Sequence, residues 1–307
     1  MDYEIKKVPE DFFVKEIINI KTSERGRFSY YWLRKINYST IEAVDFISKK
    51  LRVPLKSINF AGTKDKRAVT EQLISIKNGK KKNYDFGKIK LEFFGYGDEP
   101  VNLGAHKENY FEIILRGIKK VPLKRNWMVN YFDEQRFSEK NVEVGRAIIK
   151  RDFRKAVELL GVTSEKNDFV GALRKINRKM LRMYVHAYQS YLWNKSVSDL
   201  FASRHKIKCS IGEFSVPEKM PKKFSFPIIG FGTADQRVKK IFDEEKITPR
   251  DFIIKQIPEI SSEGAERDVI IELNDLKIDN LEDKKIKLSF TLPKGSYATM
   301  FIKHLFL

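Results

Sequence analysis

Asp65 is a carboxylate set among cations. In the run Ile58-Asn59-Phe60-Ala61-Gly62-Thr63-Lys64-Asp65-Lys66-Arg67-Ala68-Val69-Thr70-Glu71-Gln72 it follows an apolar, strand-like stretch and has Lys64, Lys66 and Arg67 as neighbours. Nearby positive charge favours an ionised carboxylate and burial disfavours it, so this setting suits an anionic nucleophile or proton acceptor in a basic pocket. The spacing alone also describes an exposed turn with solvated charges.

Other chemistries find little material. The one cysteine, Cys209, excludes an internal disulfide and a cysteine-rich zinc site, and the four histidines, His106, His186, His205 and His304, show no paired metal-ligand spacing. No metal and no cofactor is expected. No phosphate-cradling Gly-x-x-x-x-Gly-Lys-Ser/Thr loop occurs, and Lys64-Asp65 lacks the intervening residue of a guanine-reading motif. A phosphate-handling hydrolase built on Asp65 would want metal partners that the sequence does not offer.

The 307 residues, 42% of them hydrophobic, allow two domains or one large one with a packed core. Lys and Arg number 60 against 41 Asp and Glu, a formal charge of +19, which calls for a polyanionic partner, nucleic acid first. The cations are dispersed and no long basic amphipathic segment stands out, so a membrane surface ranks below RNA. No signal peptide follows Met1 and no apolar run approaches membrane-spanning length; a cytoplasmic location is expected.

Elements must then hold Asp65 in place. Ser39-Thr40-Ile41-Glu42 reads as a capping box opening an amphipathic helix to about Leu51, ahead of Pro54. A strand ends near Gly62, a second runs from Glu71 to Lys77, and 78–82 is an exposed turn. Further strands are expected at 91–95, 110–116 and 286–292. From Gly145 the pattern is helical: one helix to Leu160 closed by Gly161, then an uninterrupted stretch from Ala172 to Phe201. A looser, proline-dotted region spans 211–227, a short helix is capped by Thr248-Pro249, and Ser296 is placed to cap a last one. Strands, helices and strands again read as an α+β body interrupted by a mainly helical insertion.

The Asp65 run resembles the signature of the TruD family of tRNA pseudouridine synthases, Gly-x-Lys-Asp-x-x-Ala-x-Thr-x-Gln, with Gly62, Lys64, Asp65, Ala68, Thr70 and Gln72 all matching. The likeness extends in family order to Pro9-Glu10-Asp11-Phe12, Asn130-Tyr131-Phe132 with Gln135-Arg136-Phe137, Gln189-Ser190 with Asn194, and Leu292-Pro293-Lys294-Gly295-Ser296-Tyr297-Ala298-Thr299. It implies a pseudouridine synthase catalytic core with a mixed, mainly antiparallel sheet at 1–139 and 267–307. A family-specific helical domain would be inserted at 140–266. It also implies tRNA as partner, uridine 13 of the D arm as target, and no cofactor.

The same resemblance assigns Asp65 as the catalytic carboxylate. Phe12 and Asn109 fall on substrate-contacting positions, with Phe111 and Tyr297 as aromatic contacts to an extruded base and Lys6 as a partner of the carboxylate or a phosphate. Lys64, Gln72, Gln135, Arg136 and Gln189 are expected to brace the site or contact RNA. Departures stand at Glu108, Asp133 and Ser138, where the family has glycine, at Val129 for proline, and in the short 117–129 segment. A binding-only protein on the same scaffold is the alternative, gaining ground if Glu108 blocks the pocket.

Overall fold

A computed structural model describes residues 2–138, 140–201 and 203–307. The chain forms two compact units, one of residues 1–122, 273–298 and 306, the other of residues 123–272, 299–305 and 307. Glu139, at the expected edge of the insertion, lies outside the described residues.

The first unit opens with β1 (Phe12–Ile17), β2 (Phe28–Ile36), α1 (Thr40–Leu51), β3 (Ile58–Phe60), β4 (Val69–Lys77), β5 (Tyr84–Asp85), β6 (Ile89–Gly97) and β7 (Glu108–Leu115). The second contributes β8 (Trp127–Val129), α2 (Asn141–Ile149), α3 (Phe153–Leu160), α4 (Phe169–Arg174) and α5 (Arg178–Leu200). It continues with β9 (Lys206–Cys209), β10 (Gly212–Ser215), β11 (Ser225–Ile228), α6 (Lys239–Glu245), β12 (Ala265–Asp268) and β13 (Ile270–Glu272). The chain then returns to the first unit for β14 (Lys277–Leu281) and β15 (Lys285–Pro293), before α7 (Ala298–Leu305). This is an α+β fold, and its large sheet is mainly antiparallel.

That sheet has nine strands in the order β14-β15-β7-β1-β4-β2-β6-β5, with β3 also on β4. Only the β1–β4 pair is parallel. Register decides which residues meet: Val14 stands opposite Phe111 and beside Thr70, Glu16 opposite Asn109, Phe290 opposite Phe111, and Lys35 opposite Thr70. Because side chains alternate along a strand, these residues and Phe12 share one face, while Glu108 and Tyr110 project from the other.

One half of this face is apolar and lies under α1. Ser39 accepts a hydrogen bond from the Glu42 amide and Glu42 accepts one from the Ser39 amide, which starts the helix; Arg52 ends it in the left-handed region at φ 55°. Ala43, Val44 and Ile47 then pack on Tyr31, Leu33, Ile74, Ile76, Ile89 and Leu91. Each large aliphatic side chain buried there contributes about 1.5–3 kcal/mol. The other half carries polar groups, and these hold the Asp65 loop.

In the helical unit the expected single helix 145–160 is two. Arg151 turns the backbone at φ 63° and Asp152 caps the new start by accepting from the Lys155 amide, a break that hydrophobic periodicity does not reveal. Gly161 closes α3 at φ 64°, as expected. The 172–201 stretch is likewise divided, since Asn177 accepts from the Lys179 amide and restarts the chain as α5. Gly145 is where α2 meets α5: a Cβ there would lie 2.1 Å from the Tyr184 carbonyl oxygen. The 211–227 region is more ordered than its prolines imply, containing β10 and the start of β11, strands of four residues each and too short for alternation to show. Ser296 does not cap α7; its hydroxyl makes no hydrogen bond among the described residues. No described helix is long and apolar enough to cross a membrane.

Candidate active site

The loop between β3 and β4 has few strand partners, so side chains supply its bonds. The Lys64 amide donates to Thr40 Oγ1 (2.8 Å), the Thr40 hydroxyl donates to Gln72 Oε1 (2.8 Å), and Gln72 Nε2 donates to the Gly62 carbonyl (3.0 Å). Lys35 Nζ donates to the carbonyls of Tyr38 (2.6 Å) and Asp65 (2.9 Å). Lys35, Thr40 and Gln72 are wholly buried. In a low-dielectric setting such a satisfied network makes one backbone path much cheaper than its alternatives.

The Asp65 side chain has a partner of its own in Lys6. Its Oδ2 is 2.5 Å from Lys6 Nζ, with the Lys6 and Asp65 side chains 17% and 34% exposed, a pair open to one side. The same ammonium sits 4.0 Å from the centre of the Phe12 ring. Lys6 reaches both from a left-handed backbone at φ 56°, uncommon for a residue with a side chain. Phe12 meets Phe111 edge-on at 6.2 Å, and Phe111 stacks on Phe290 at 5.5 Å. Beneath Phe12 the Pro9–Asp11 turn is locked by Asp11: Arg116 grips its carboxylate through Nε and Nη2 at 2.7–3.1 Å, and the Val8 amide donates to it. Burial works against that charge, but Arg116 and Val8 hold Asp11 below its ordinary carboxylate range.

Behind the loop, Lys64 Nζ lies 2.6 Å from Glu16 Oε1, and the Leu73 amide donates to the other Glu16 oxygen. Burial raises the Glu16 carboxyl above its usual value and Lys64 offsets part of that. Lys64 therefore spends its charge inside the protein. His106, whose Cε1 would be 3.4 Å from a Cβ at Gly62, is pushed down to about 4 by burial and by Lys64 and Lys294, and so is neutral. Four occluded polar atoms in this unit, Thr70 Oγ1, Asn109 Oδ1, His106 Nδ1 and Ser296 Oγ, make no hydrogen bond among the described residues. Buried groups are normally satisfied, so these are acceptors and donors in search of a partner.

Of the residues singled out in the sequence, Asp65, Lys6, Phe12 and Phe111 make one chain of contacts, Asn109 shares their face, and Gln72 and Lys64 support the loop from behind. Tyr297 is half-buried in the turn that follows β15, whose Leu292 stands opposite Asn109. Gln135, Arg136 and Gln189 belong to the other unit. Gln189 is buried there, donating to the Ile229 carbonyl (2.6 Å) and accepting from Ser262; Arg136 Nε donates to Ser190 (3.2 Å); Gln135 is exposed. Glu108 is exposed and alternates away from Asn109.

Sequence reasoning passed over Lys35, Glu16, Thr40 and the Asp11–Arg116 pair. The signal for two of them was present: Lys35 continues the inward series Tyr31, Leu33, and Glu16 continues Phe12, Val14. A charged residue at an inward strand position is a buried charge awaiting a partner.

Among the described residues one group has metal-like spacing, Asp133, Glu134 and Cys209 in the helical unit. Lys303 Nζ already lies 3.0 Å from each carboxylate and 3.6 Å from the sulfur, so an ammonium already occupies the space a cation would take. These residues do not fit a metal.

Comparison with known proteins places the chain and its fold. The family model described as tRNA pseudouridine synthase D (TruD) matches residues 1–167, 159–223 and 224–305. A tRNA pseudouridine synthase D of Aquifex aeolicus is 31% identical over all of this chain and 98% of its own. A Nanoarchaeum equitans protein named "Probable tRNA pseudouridine synthase D" is 29% identical, covering 99% of this chain and 98% of its own. A crystal structure of a TruD protein from Methanosarcina mazei, 24% identical, superposes with a TM-score of 0.72 over 99% of this chain and 94% of that one, which shows the fold. The mixed sheet is thus that of the TruD fold, and the chain belongs to the TruD family of tRNA pseudouridine synthases.

Proposed function

We propose that this protein isomerises a uridine of tRNA, position 13 of the D arm, to pseudouridine, with Asp65 as the acting carboxylate and the strand-rich unit as the catalytic one. The observation that carries this is the Lys6–Asp65 pair beside Phe12, open to one side on a loop otherwise fixed by buried bonds. A uracil extruded from the RNA would lie against the aromatic edge formed by Phe12 and Phe111, with Tyr297 as a further candidate aromatic contact, and the unpartnered Asn109 carbonyl is suited to accept its N3–H.

The chemistry needs no external electrons. Asp65 takes the ribose C2′ proton as the C1′–N1 bond breaks, leaving a glycal and a uracil anion. The base turns so that C5 faces C1′; the C5–C1′ bond forms as C2′ regains its proton, and the proton lost from C5 ends on N1. Atoms and charge balance as an isomerisation. The dispersed positive charge supplies affinity for the phosphate backbone without sequence information, so shape and the extruded base give specificity. Such an enzyme works where tRNA is found, in the cytoplasm.

The test is a pseudouridine-specific chemical map of unmodified tRNA transcripts incubated with wild-type protein or Asp65→Ala, with nothing else added. Signal at one D-arm uridine, present only with wild type, is the expected result. Undiminished signal with Asp65→Ala overturns the assignment of the carboxylate, and tight tRNA binding without any product favours a binding-only role.

A further inference from the structure

Lys35 is a fully buried lysine whose hydrogen-bond partners among the described residues are main-chain carbonyls. Its Nζ lies 2.6 Å from Tyr38 O, 2.9 Å from Asp65 O and 3.5 Å from Lys64 O. An ammonium has three protons to donate and no acceptor, so this arrangement uses its full capacity. Tyr38 belongs to the turn between β2 and α1, while Lys64 and Asp65 belong to the loop between β3 and β4. One charge thereby ties two segments that are not neighbours in sequence. Burying an ammonium is costly, and a methionine of similar length would fill the same space without that cost.

We infer that Lys35 is a positioning residue for the isomerisation, holding the Asp65 main chain at its carbonyl so that the carboxylate stays aimed at the ribose. This rests on Asp65 being the reacting group. The charged groups that face Lys35 are Asp65 and Lys64 from the loop and Glu42 from α1, the last already paired with Lys66 at 2.6 Å; Thr40 and Gln72 are neutral. Desolvation outweighs these charges and brings the Lys35 ammonium down to about 8, within reach of an ordinary rate profile. Loss of the proton turns charge-assisted bonds into weaker neutral ones and slackens the loop.

The experiment measures single-turnover rate and tRNA affinity from about pH 6 to 9.5 for wild type, Lys35→Met, Lys35→Arg and Asp65→Asn. A misplacement of about 1 Å can cost 10²-fold, so Lys35→Met should slow the step about that much while tRNA Kd stays within about twofold. Wild type should lose rate above about pH 8 without losing affinity, and that decline should be absent from Lys35→Arg, whose charge does not titrate. A wild-type profile flat to pH 9.5, a full-rate Lys35→Met enzyme, or the same alkaline decline in Lys35→Arg overturns the inference; the first needs no variant to fold. Turnover by Asp65→Asn instead removes the underlying assignment. An inert Asp65→Asn beside a full-rate Lys35→Met removes only the role of Lys35.

Discussion

Replacing Lys64 by Met should destabilise the sheet under the reactive loop far more than a surface lysine would. The Lys64 side chain is 9% exposed and that of Glu16 is 0%, so solvent screens the pair little, and among the described residues Glu16 is bonded by Lys64 and the Leu73 amide. Removing one member of a buried pair leaves the other charge uncompensated and costs about 3–5 kcal/mol. At about 1.4 kcal/mol per decade, this is roughly two to four orders of magnitude in the rate of amide exchange through a rapid opening equilibrium. Hydrogen exchange read by mass spectrometry on peptides spanning β4 reports on this unit alone.

The pH dependence supplies a second reading. Burial already raises the Glu16 carboxyl above its ordinary 4.5, and loss of Lys64 raises it further. A carboxyl raised in the folded state is best tolerated when protonated, so its contribution is fully present below the ordinary value and is lost as pH rises through the folded one. The deficit of Lys64→Met relative to wild type should be large at neutral pH and narrow as pH falls toward 4.5, and Glu16→Gln with Lys64→Met should recover most of it. Wild-type exchange in Lys64→Met at neutral pH, or a deficit that ignores acidification, would refute the reasoning.

Two further outcomes follow from other buried groups. His304, fully buried, accepts from the Val129 amide through Nε2 (3.0 Å) and donates from Nδ1 to the Met300 carbonyl (2.8 Å), and burial pushes it down from 6.5 to about 3. The unfolded chain binds this proton and the folded one refuses it, so the helical unit should lose stability progressively below pH 6.5, by about 2 kcal/mol at pH 5; urea midpoints that do not fall between pH 7 and 5 would contradict this. Asn109→Leu should remove a buried carbonyl that has no partner, leaving stability unchanged or raised by about 1 kcal/mol while turnover falls at least about tenfold. A fall in melting temperature with turnover intact would make Asn109 a structural residue instead.

The elements around the Asp65 loop were legible because local signals agree there. Ser39 and Glu42 cap α1 as their spacing implies, and Gly161 closes α3 where the apolar repeat ends. Breaks inside helical stretches were not legible: Arg151 in a left-handed turn and Asn177 as a cap sit in sequence whose composition would equally continue a helix. Short strands such as β10 and β11 present four residues each, fewer than alternation needs to be recognised.

The candidate site divides in the same way. The type and order of residues in the Asp65 run, with Phe12, Asn109 and Phe111 in their own blocks, are properties of the sequence and carried the family likeness. What the residues do for one another depended on pairing over long separations. The parallel joining of β1 to β4, with β7 on the other side of β1, puts Glu16 near Lys64 and opposite Asn109, and the β2 register sets Lys35 beside Thr70. A lysine reads the same in sequence whether it is solvated or buried. Only the folded sheet decides that Lys64 neutralises a buried acid, that Lys35 holds backbone carbonyls, and that Lys6 meets Asp65, because burial and partner distance set the energy of a charge and neither is a property of neighbouring letters.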